Sequence, residues 1–87
     1  MWFKRVEKGI KCITLGEWLD KHREDFKAVD IEIYAGKGRV YESVCYSYGI
    51  GNIRYGYIQE YKDSVVVDTI DIHRGGRLDK VMIFVAK

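Results

Sequence analysis

The chain has 87 residues, 47% hydrophobic and 32% charged, with a formal net charge of +2. That is too apolar for a disordered segment, holds no run long enough to cross a bilayer, and fits one globular domain over residues 1–87. The small net charge does not favour a nonspecific electrostatic grip on nucleic acid. Two cysteines, Cys12 and Cys45, make no disulfide framework, and "MWFKRVEKG" lacks the apolar core of a signal peptide, so the expected setting is cytoplasmic with free thiols. Charge is uneven along the chain. Residues 1–11 are basic, whereas residues 17–33 hold six acids against three bases.

An opening strand near 3–13 is weakly indicated. The stretch "ITLGEWLDKHREDF" (13–26) then reads as an amphipathic helix over about 15–25. Thr14 and Glu17 have capping-box spacing, and Ile13 and Trp18 have that of a hydrophobic staple. Leu15, Trp18, Leu19, His22 and Phe26 recur at helical spacing, with Asp20, Lys21, Arg23 and Glu24 opposite. Strands are expected at 28–34, 39–48, 53–61, 65–73 and 80–86, separated by turns such as "AGKG", "GIGN", "KDS" and "RGGRLD". Simple alternation puts Val40, Val44, Tyr46 and Tyr48 on one side of 39–48, and Tyr41 and Cys45 on the other. The expected fold is α+β, with one helix packed on a four- or five-stranded antiparallel sheet arranged as a meander. A single helix covers only part of one sheet face, so the other face must be solvated or partnered.

Five of the seven tyrosines lie between Tyr46 and Tyr61. "RYGYI", Arg54 to Ile58, resembles part of the RNP1 element of RNA-recognition motifs, in which strand aromatics stack on bases. The glycine after the basic residue is missing, Glu60 stands where the last aromatic belongs, and a second helix is lacking. Three readings of the tyrosines remain. They are sheet-forming residues, anchors of a protein interface, or a stacking surface for single-stranded nucleic acid. The candidate partner-binding residues are Tyr46, Tyr48, Arg54, Tyr55 and Tyr57, joined by the acids Asp20, Glu24 and Asp25 at the helix.

Other chemistry is poorly supported. Asp71 and His73 share a strand face but have no third metal ligand in sequence. "AGKGR" and "GIGN" lack the P-loop pattern and open no helix. No motif points to catalysis, a metal or a cofactor.

"TLGEWLDKHREDFKAVDIEIY" (14–34) resembles the opening of small proteins carried by phages and mobile elements of Gram-positive bacteria. Thr14, Leu15, Glu17, Trp18 and Leu19 match their helix start, and Asp30, Ile33 and Tyr34 the strand that follows. Some such proteins are anti-CRISPR or other anti-defence inhibitors. The expected protein is non-catalytic and monomeric or homodimeric, and the resemblance implies an inhibitor in the host cytoplasm that occludes a larger host protein or ribonucleoprotein complex. Nucleic acid is the alternative partner, and no membrane is expected.

Overall fold

A computed structural model describes residues 13–53 and 58–87. It has one helix, α1 (Leu15–Lys21), and four strands: β1 (Asp30–Lys37), β2 (Val40–Tyr48), β3 (Val66–Arg74) and β4 (Arg77–Ala86). The α+β expectation holds. The opening strand expected near 3–13 lies almost wholly outside the described residues.

Local chemistry sets the start of α1. The Thr14 hydroxyl accepts from the Glu17 amide at 3.2 Å, and the Thr14 amide donates to Glu17 Oε1 at 2.9 Å. Each side chain thereby satisfies a backbone donor that the first turn leaves free. Leu15, Trp18 and Leu19 form the buried stripe. The helix stops at Lys21, four residues short of expectation, with His22 as its C-cap at φ −107° and ψ 11°. Just beyond it, Arg23 Nη1 donates to the carbonyls of Ile50 and Ile53, at 3.1 and 3.2 Å. The chain turns through residues 22–25, and Phe26 stacks on both Trp18 and His22, whose ring is tilted against Trp18.

The sheet order is β2-β1-β4-β3. β1 pairs antiparallel with β2, and β4 with β3, while β1 and β4 run parallel in the centre. The sheet is therefore mixed, mostly antiparallel, and built from two hairpins side by side instead of a meander. The strand expected at 53–61 explains the difference. Of its described residues, Ile53 caps the short 3-10 turn Ile50–Asn52, and Ile58 to Tyr61 form a turn closed by bonds from Tyr61 N to Ile58 O and from Ser64 N to Tyr61 O. The chain between β2 and β3 thus passes from one sheet edge to the other instead of adding a strand beside β2. Ile50, Ile53 and Ile58 are buried along this crossing.

Those isoleucines join Leu15, Trp18 and Leu19 over the face made by Ile31, Ile33 and Ala35 of β1 and Val81, Ile83 and Val85 of β4. The core is thus two layers, with sheet on one side and helix plus crossing segment on the other. Everything that covers the sheet among the described residues belongs to this one face.

Candidate functional site

Alternation along β1 decides what the second face carries. Between buried Ile31, Ile33 and Ala35 stand Asp30, Glu32 and Tyr34, which point away from the core. Their register partners are Tyr48, Tyr46 and Ser43 on β2, and Lys80, Met82 and Phe84 on β4.

Polar groups on this face pair with one another. Lys80 Nζ lies 3.2 Å from Glu32 Oε2, and the Tyr34 hydroxyl donates to Glu32 Oε1 at 2.9 Å. The Tyr46 hydroxyl donates to Asp30 Oδ2 at 2.8 Å. The carboxylates stabilise the protonated phenols, so Tyr34 and Tyr46 ionise above the ordinary tyrosine value. Hydrogen bonding to Glu32 likewise raises Lys80. Beside this network Phe84 stacks on Tyr34, with centroids 5.2 Å apart, and meets Tyr41 edge-on at the same separation.

Tyr41 is the unexpected member. Alternation assigns it to the side opposite Tyr46 and Tyr48. The structure places it on the same face, because the register shifts between Ile33↔Cys45 and Tyr34↔Ser43, leaving Val44 as an extra residue. This β-bulge resets the alternation. Val44 and Cys45 both pack against the core, and burial pushes the Cys45 thiol up toward its neutral form.

At the end of this face where β1 and β4 begin, an open groove of about 460 Å³ is lined by Tyr46 and Tyr48 of β2 and by Arg74 and Arg77 of the β3–β4 turn, with Asp30 and Asp79. The two tyrosines are 60% and 65% exposed. Further along the face Ile70, opposite Met82, is also exposed.

The sequence-derived candidates divide three ways. Tyr46 and Tyr48 lie on the uncovered face. Asp20, Glu24 and Asp25 belong to the helix side, each beside a local base: Arg23 at 3.6 Å, Lys27 at 2.9 Å and His22 at 3.2 Å. They and the tyrosines occupy opposite layers and form no common patch. Arg54, Tyr55 and Tyr57 lie outside the described residues. Sequence reasoning missed Glu32, Tyr34, Tyr41, Lys80 and Phe84, as well as Arg74 and Arg77. The alternation of "DIEIY" was a usable signal for Glu32 and Tyr34, whereas the others depend on pairing between distant strands.

Among the described residues, no group of three or more His, Cys, Asp or Glu stands together as a metal site, and no helix is long and apolar enough to cross a membrane. The fold is a small α+β domain in which, among the described residues, one sheet face is covered and the other is open. No family model, curated protein or solved structure matches the chain.

Proposed function

We propose that this chain is a non-catalytic binding protein that docks a larger partner protein on its open sheet face. The observation that carries the reading is the state of that face. Tyr46 and Tyr48 stand exposed on it, beside the Lys80–Glu32 ion pair. Exposed aromatics on a rigid, nearly charge-balanced platform suit a protein interface, where tyrosine and arginine provide much of the binding energy. The likeness of residues 14–34 to phage and mobile-element proteins supports a role as a stoichiometric inhibitor of a host defence complex, a CRISPR effector among the candidates, acting in the host cytoplasm by occlusion. Asp20 on α1 and Glu24 and Asp25 in the turn after it, each beside a local base, have a secondary part.

The direct test is affinity capture from bacterial lysate with the double variant Tyr46→Ala/Tyr48→Ala. Loss of a captured protein from a folded variant supports the reading, and unchanged capture rejects it. Tyr55→Ala/Tyr57→Ala asks the same of the second tyrosine pair. One observation favours a second reading, a site for single-stranded nucleic acid: Tyr46 and Tyr48 share a groove with Arg74 and Arg77. That reading requires oligonucleotide affinity that falls steeply with salt.

A further inference from the structure

We infer that the groove beside the β3–β4 turn receives an acidic side chain from an extended segment of the partner protein, with a planar neighbour of that side chain lying against Tyr46 and Tyr48. The inference rests on the protein-docking reading above and names the chemistry of the partner.

Its basis is a like-charge pair. Arg74 and Arg77 are direct register partners across the turn. Gly75 and Gly76 between them have φ of +62° and +81°, the left-handed values that a two-residue hairpin of this kind demands. So tight a turn holds the flanking side chains next to each other, where like charges are destabilising. Little offsets this. Arg74 Nε is 3.7 Å from Asp79 Oδ2, and the Arg77 side chain makes no ion pair or hydrogen bond among the described residues. Two adjacent guanidinium forks match the two oxygens of a carboxylate.

The rest of the groove limits the ligand. Asp30 already accepts from Tyr46, and Asp79 faces Arg74. The groove as a whole is neutral, with two arginines and two aspartates. One added carboxylate is accommodated. A phosphate backbone, with a charge at every nucleotide, would also meet Asp30 and Asp79. An acidic peptide therefore fits better than a nucleic-acid strand.

The test titrates the isotopically labelled full chain with the blocked peptide acetyl-Gly-Glu-Phe-Ser-Gly-amide, with the same peptide carrying Gln for Glu, and with oligothymidylate. Magnetic resonance reads the arginine side-chain and tyrosine ring signals. The expected result is shifts at Arg74, Arg77 and Tyr48, with the Glu peptide bound at least about tenfold more tightly than the Gln peptide. Arg77→Gln removes that preference and Arg77→Lys keeps part of it, with well-dispersed spectra showing that both variants fold. Equal affinity for the two peptides, no shift at the arginines with millimolar peptide, or tighter binding of oligothymidylate each overturns the inference. If the peptides are not distinguished but lysate capture still depends on Tyr46 and Tyr48, the groove assignment fails while the docking face stands.

Discussion

The Tyr46 hydroxyl donates to Asp30 at 2.8 Å, although the Tyr46 ring is largely exposed. An exposed side chain normally samples several rotamers and loses that freedom on binding. Here the bond to Asp30 favours one placement of the ring in the free protein, which lowers the ordering cost of using it as an anchor. Tyr46→Phe keeps the ring and removes the tether. It is expected to weaken partner capture modestly while changing stability by no more than about 1 kcal/mol. Tyr46→Ala removes the anchor and should abolish capture. Dissociation rates of the captured partner distinguish the two variants.

The same hydrogen bond predicts alkaline behaviour. Tyr34, Tyr46 and Lys80 all have folded-state values above their ordinary ones, because Glu32 and Asp30 favour their protonated forms. Groups shifted upward lend stability that is fully present below the unfolded value and is lost as pH rises through the folded one. Stability should thus be insensitive to these groups at neutral pH and fall above pH about 10. Asp30→Asn should return Tyr46 toward its ordinary value. Ultraviolet titration of tyrosinate in wild type and variant measures both.

Gly36 should tolerate no side chain. A Cβ there would lie 2.6 Å from Tyr41 Cδ1 and 2.7 Å from Tyr41 Cα, and would also collide with the Val40 carbonyl. Tyr41 lies over the backbone at Gly36 and is held by Phe84. Gly36→Ala therefore forces strand separation or displaces the ring. A loss of about 1–3 kcal/mol in chemical denaturation is expected, with changed aromatic circular dichroism. A neutral Gly36→Ala would contradict the described packing of Tyr41.

Arg23 ties the end of α1 to the crossing segment. Arg23→Ala leaves the carbonyls of Ile50 and Ile53 without this donor and should cost about 1–3 kcal/mol. Arg23→Lys should recover only part, since both bonds come from Nη1 at the far end of the guanidinium and the lysine ammonium sits on a differently shaped, more flexible stem. Hydrogen exchange should quicken first at Ile53, whose amide donates to Ile50 O.

Thr14→Ala offers a local comparison. It removes the acceptor for the Glu17 amide, leaving Glu17 Oε1 bonded to residue 14. A loss of about 1 kcal/mol is expected from equilibrium unfolding.

Residues a few positions apart determined what could be read from the chain alone. Thr14 and Glu17 start α1 because a capping box needs only two side chains three residues apart in the chain. The strands of residues 30–37 and 66–74 announce themselves by β-branched residues and alternation. Tertiary structure decided the rest. The central parallel pairing of β1 with β4, the bulge at Val44 that turns Tyr41 onto the open face, and the passage of the chain after Tyr48 across the sheet all depend on distant partners. So does the meeting of Tyr46 and Tyr48 on β2 with Arg74 on β3 and Arg77 on β4 in one groove, across strands far apart in the chain. Local propensity acts over a few residues of chain. Register and facing are set by which edges pair and which apolar stripes must be buried together, and the open face is what that burial leaves behind.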